Sequence, residues 1–216
     1  MNQQHQHERG SVLAKLRALV PNRRLSHGEA LRLAELQANR LLELFEIEDD
    51  RISTELVSEL PRIEVRNLHG LPVSGSTHWE NGRWIITINA DETWNRRRFS
   101  LMHEFKHVLD HTTKDRLYGD IDHDADAAQR FERAADYFAA CLLMPKRSLK
   151  RIWYSTGQDI VRSASRLGVS TRALGVRLHH LGLAPQIDRC DRGYQPPRRS
   201  ARRMYFRVSR QMEVAT

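Results

Sequence analysis

The stretch FSLMHEFKHVLDH, residues 99–111, constrains this chain more than any other. Four residues advance about 400° around a helix, so His103 and His107 stand on neighbouring turns of one face. With His103 at zero, the step of roughly 100° per residue puts His107 near 40° and Glu104 near 100°. Leu101, Met102, Phe105, Val108 and Leu109 fill the opposite arc. The segment therefore predicts a helix with an apolar back and a polar face that holds both imidazoles. Imidazole nitrogen is a good zinc ligand at about 2.0–2.1 Å. Glu104 is set aside from the ligand line, where it can take a proton from a water that the metal activates. Lys106 lies about 60° from His103 and is read as pointing to solvent, since a cation beside a dication is unfavourable.

Helices with a wet face are common, and zinc needs a third protein ligand. The helix AAQRFERAADYFAACLLM, stopped by Pro145, offers Glu132. Asp136 follows one turn later, about 40° away. Ala128, Ala135, Phe138, Ala139, Leu142 and Leu143 occupy the adjoining arc, while Arg130, Arg133 and Tyr137 take the side read as solvent-facing. Both carboxylates thus sit at the edge of a buried face, where each must be paired, hydrogen-bonded or coordinated. Glu132 is the expected third ligand. Asp136 can accept a hydrogen bond from a ligand histidine and fix its tautomer.

These two stretches, FSLMHEFKHVLDH and then ERAADYFAACLLMP, resemble the ImmA/IrrE family of metallopeptidase-like proteins. Its usual form is RRRFTLAHELGHLLLH followed by E-x-x-A-N-x-F-A-A-x-L-L-M-P. The preceding RWIITINADETWNRRRFS is similar to that family's edge strand and lead into the metal helix, and the likeness covers roughly residues 30–183. It implies zinc ligands His103, His107 and Glu132, with Glu104 as general base and one catalytic Zn2+. Asp136 replaces the more usual Asn beside the ligands, and Lys106 replaces the usual Gly. The implied fold is α+β and zincin-like, of the gluzincin kind: a small sheet beside two metal-bearing helices, then a helical segment of helix-turn-helix character. The strand at residues 84–89 is the expected platform to which a substrate peptide adds. The implied function is a zinc metalloendopeptidase that cleaves a helix-turn-helix transcriptional repressor. Residues 1–26 are too short for a fused repressor, so the expected substrate is separately encoded. The rival expectation is a regulatory or DNA-binding protein that retains a zincin scaffold with little peptidase activity.

The rest of the chain is organised around this core. A polar arm with a short helix in SVLAKLRALV before Pro21 is expected over 1–26, the peptidase domain over 27–145, a helix-turn-helix-like subdomain over 146–186, and a basic tail over 187–216. Ser26 and Glu29 fit a capping box opening a helix whose Leu33, Leu36, Leu44 and Ile47 share an arc. PRIEVRNL, LPVSGSTHW and RWIITINA read as strands, the last two joined by the turn ENG. The aspartates of GDIDHDADA lack the glycine and glutamate of a calcium loop and end in a helix cap. Three short helices follow Pro145, two of them flanking Gly168-Val169-Ser170. Tyr154, His179 and His180 are candidates by type alone for stabilising an oxyanion.

Cys141 and Cys190 are too few for a disulfide framework. No apolar run of membrane-spanning length or signal-peptide type occurs, so a cytoplasmic protein is expected. Net charge is +8, and the tail holds eight arginines against three acids, which suits nonspecific nucleic-acid contact.

Overall fold

The structure, a computed structural model, describes residues 12–185. The basic tail at 187–216, Cys190 and the first part of the amino-terminal arm lie outside the described residues. Among the described residues a helical stretch at 12–17 is followed by eight further helices, labelled here α1 to α8, and three strands. They run α1 His27–Leu44, α2 Glu55–Ser58, β1 Ile63–Leu68, β2 Gly75–Glu80, β3 Arg83–Asn89, α3 Trp94–Asp110, α4 Lys114–Tyr118, α5 Ala125–Leu143, α6 Lys146–Ser155, α7 Ile160–Leu167 and α8 Thr171–His180. The α+β architecture implied by the sequence, a small sheet beside long helices, is the one found. Among the described residues no helix is long and apolar enough to cross a membrane.

Local chemistry accounts for the element ends. Ser26 and Glu29 complete the capping box of α1. Thr93 caps α3 by accepting from the Arg96 N–H, and Asp124 caps α5 by accepting from Asp126 and Ala127. β2 and β3 form a hairpin whose turn residues, Asn81 and Gly82, both have positive φ (47° and 79°). That is the two-residue turn Asn-Gly favours.

The sheet order is β1-β3-β2, with β1 parallel and β2 antiparallel to β3. This corrects the expectation that residues 84–89 form an edge. β3 is central, and its residues 84–88 are all buried, as a strand covered on both faces requires. The free edge beside the site belongs to β2.

The core joins elements from along the whole described chain. Leu101, Met102, Phe105, Val108 and Leu109 of α3 pack in one cluster with Phe138 and Leu142 of α5, Leu149 and Ile152 of α6, and Leu174 and Leu178 of α8. A single cluster thus crosses the boundary expected at 145. Residues 12–17 are helical, within the stretch read as a short helix of the arm, and Val12 and Leu16 enter the same cluster. On α1 the buried side is Ala30, Leu33, Ala34, Gln37, Ala38, Leu41 and Leu42, whereas Leu36 is exposed. Small alanines let α1 approach α5, and they shift the buried arc away from the one drawn through leucines alone.

Two polar contacts tie the core together. Lys106 is fully buried, not solvent-facing: its Nζ donates to both Asp110 carboxylate oxygens at 2.6 and 2.7 Å and to Gln37 Oε1 at 2.7 Å. The Tyr118 hydroxyl donates to Asp110 Oδ2 at 2.7 Å. A buried carboxylate one turn along overrides the helical-wheel argument that sent Lys106 outward. Arg98, on the first half of α3, is also buried and donates to the carbonyls of Ile52, Leu167 and Gly168 while lying 4.6 Å from the Trp94 ring. Burial, with Arg51 nearby, pulls its guanidinium down to about 10. Gly168 ends α7 in a left-handed conformation (φ 66°), and a Cβ there would come within 2.6 Å of Arg98 Nη1. Cys141 is buried, and desolvation pushes its thiol up to about 12, which keeps it protonated and inert.

Candidate metal centre

α3 and α5 pack side by side, and their contact brings three metal-ligating side chains together. His103 Nε2 lies 3.0 Å from His107 Nε2 and 3.4 Å from Glu132 Oε2. His107 Nε2 lies 3.5 Å from Glu132 Oε1. Among the described residues, His103, His107 and Glu132 form the group of donors close enough to share one ion.

These separations test whether zinc fits. Donors about 2.0–2.1 Å from a tetrahedral ion stand about 3.3–3.4 Å apart, and the observed 3.0, 3.4 and 3.5 Å, the last two to different oxygens of Glu132, lie near that spacing. Two imidazole nitrogens 3.0 Å apart repel unless a proton or cation lies between them. The donor set, two nitrogens and a carboxylate on a mostly buried floor, therefore suits a divalent ion. Two imidazoles with one carboxylate form a donor set that can hold such an ion and leave a further position open.

Neighbouring groups orient the donors. Asp136 Oδ1 sits 2.9 Å from His103 Nδ1, which leaves Nε2 facing the shared point. Burial opposes the charged form of His103, yet its hydrogen bonds with Asp136 and Glu132, and the charges of Glu104 and Glu132, raise it to about 9. Burial likewise opposes the Glu132 carboxylate, but the two histidines hold it far below the ordinary carboxylate range. The His107 ring rests on Phe131 at 4.4 Å, and its Nδ1 is buried without a hydrogen-bond partner among the described residues. Asp136→Ala is expected to weaken zinc binding about 10–100-fold, the range for losing such an orienting partner. Competition with a chromogenic chelator measures it, and an unchanged affinity removes the orienting role.

Glu104 is buried beside the donors, not among them. The Thr77 hydroxyl donates to Glu104 Oε2 at 3.0 Å. Gly75 lies so close that an added Cβ would stand 3.0 Å from Glu104 Cγ and 3.2 Å from Oε1. Sequence reasoning missed both residues. The one available signal was a glycine inside a strand pattern, which often marks a close backbone approach. A small cavity opens over the site, lined by Ser74, Arg96, Phe99, Ser100 and the four acidic and imidazole side chains His103, Glu104, Glu132 and Asp136. Arg96 donates to Ser74 Oγ at 3.1 Å and stands 3.7 Å from Glu92.

Other residues singled out from sequence lie elsewhere. Tyr154, His179 and His180 do not line the cavity, and Tyr154 is 61% exposed. Arg130 and Tyr137 are only partly exposed: Arg130 donates to the Tyr118 carbonyl, and Tyr137 packs against the core.

Comparison with known proteins agrees with this architecture. A transcriptional regulator from Mycobacterium tuberculosis has a similar solved structure, with a TM-score of 0.53 and 18% sequence identity. The match covers 68% of this chain and 55% of that one, so the chain spans about half the length of the regulator. No curated protein matches. The family of peptidase M78, described as the IrrE N-terminal-like domain, matches residues 62–179. That span runs from β1 to all but the last residue of α8, with every donor and Glu104 inside it, and the chain belongs to the peptidase M78 family.

Proposed function

We propose that this chain is a zinc-dependent endopeptidase acting in the cytoplasm on a separately encoded helix-turn-helix repressor, whose cleavage relieves repression. The convergence of His103, His107 and Glu132, whose donor atoms all lie within 4.8 Å of one another, with Glu104 buried alongside, is the observation that carries the reading. The substrate class rests on the resemblance to ImmA/IrrE proteins.

Where zinc is bound, it supplies Lewis acidity that lowers the pKa of a water and polarises a peptide carbonyl. The chain's own groups do the rest. The Glu104 carboxylate, fixed by Thr77, accepts the proton and later delivers it to the leaving amine. The free edge of β2, which packs beside α3, offers backbone groups to an extended substrate. Arg96, at the cavity wall, supplies the positive charge among its lining residues.

The test combines metal content and cleavage. Purified protein is expected to carry about one zinc per chain, and His103→Ala to lose it. Incubated with the repressor encoded beside it, the zinc-loaded protein should produce two fragments by mass spectrometry, and the His103→Ala variant none. Cleavage by a protein without metal, or none by the loaded protein on that repressor, overturns this reading.

A further inference from the structure

Charge is unevenly placed along this chain. From 146 to 180, eight lysines and arginines stand against one acid, Asp159. Part of this excess gathers around a single carboxylate. Arg151 of α6 reaches Asp50 Oδ1 at 2.6 Å, and Arg166 of α7 reaches Asp50 Oδ2 at 2.6 Å. Arg51, the next residue on the loop, donates to the Ser165 carbonyl at 2.7 Å. Helical spacing of four residues sets Arg147 beside Arg151 and Arg162 beside Arg166. All five arginines are exposed.

Few groups offset them. Arg162 is 3.6 Å from Asp159, and Arg147 has no ion pair among the described residues. Glu48 and Asp49 precede Asp50 on the loop but pair with none of the five. Asp50 therefore acts as a peg that holds two helices' guanidinium groups together, leaving positive charge in excess. Such clustering is repulsive on its own and becomes favourable when a polyanion covers it. Guanidinium forks match phosphate oxygens bidentately. The arginines also form two rows, each stepping about 6 Å along its helix. Rows of this kind suit an anion with regularly repeated charge better than a single small one.

We propose that the face made by α6, α7 and the 50–51 loop binds the sugar–phosphate backbone of a nucleic-acid duplex. The contact is positional and does not read bases. It is separate from the metal centre, and His103→Ala is expected to leave it intact.

The test uses the full chain and fluorescein-labelled DNA and RNA duplexes of about 20 base pairs, followed by anisotropy between about 50 and 200 mM salt. Wild-type protein should bind at least one duplex with steep salt dependence. Arg147→Ala/Arg162→Ala should bind about tenfold or more weakly, with a log–log salt slope shallower by about 1.8, since each lost phosphate contact removes about 0.9. Arg147→Lys/Arg162→Lys should keep most of the slope. Arg32→Ala/Arg40→Ala, which removes the same charge from α1, should change little. If the double alanine variant unfolds, Arg147→Gln alone should lower the slope by about 0.9. The proposal is overturned if wild-type protein binds neither duplex, or if the α1 variant loses as much as the patch variant. It is also overturned if polyglutamate of equal charge competes as well as unlabelled duplex.

Discussion

Glu104→Gln is expected to retain one zinc per chain while slowing peptide hydrolysis by about 10²–10⁴-fold, the usual worth of a positioned general base. The reason lies in the separation of roles on one helical turn. The donors that converge are His103, His107 and Glu132, and Glu104 is not one of them. Glutamine fills the same volume, which matters because Gly75 already crowds the Glu104 side chain. Its amide oxygen can still accept from the Thr77 hydroxyl. What the substitution removes is a group able to take up and return a proton. Elemental analysis and a cleavage assay on the same sample separate the two effects. Unchanged cleavage by a zinc-loaded Glu104→Gln protein would rule out the proposed proton transfer.

Asp110→Ala should destabilise the fold by about 3–5 kcal/mol, the cost of stranding one member of a buried ion pair. Asp110 and Lys106 are both fully buried, one turn apart on the metal helix. Desolvation already lowers the Lys106 pKa, with Asp110 opposing it. Without Asp110, the ammonium keeps only Gln37, and the Tyr118 hydroxyl loses its acceptor. Against a total stability of about 5–15 kcal/mol, such a loss is severe. Urea unfolding followed by circular dichroism measures it. A Lys106→Met/Asp110→Leu double variant should recover most of the loss, because apolar replacement of a whole buried pair is often close to neutral. Should the single variant prove as stable as the parent, the pair has no structural weight.

The metal helix was legible in the sequence because its signal is local. His103, His107 and the apolar back of α3 follow from period alone, as do Glu132 and Asp136 on α5. The β2–β3 hairpin was legible for the same reason, through Asn81-Gly82. What period cannot encode is which element lies next to which. β3 was read as an edge, yet its run WIITI, apolar except for Thr87, is what a central strand looks like. Lys106 was sent to solvent because a helical wheel knows nothing of Gln37, 69 residues away. Leu36 was placed on the shared arc by helical spacing, yet it is exposed while Ala30, Ala34 and Ala38 of the same helix are buried. Thr77 and Gly75 touch Glu104 across 27 and 29 residues of sequence, beyond the reach of any local pattern.

Arg98 gives the molecule a mechanical property. One guanidinium grips the carbonyls at the end of α7 and the carbonyl of Ile52. It springs from the helix that carries both histidines, five residues before the first of them. The loop and helix end it holds are neighbours of Asp50, Arg51 and Arg166. The outer surface and the start of the helix that carries both histidines are therefore tied to each other through one buried guanidinium as well as through the shared apolar core.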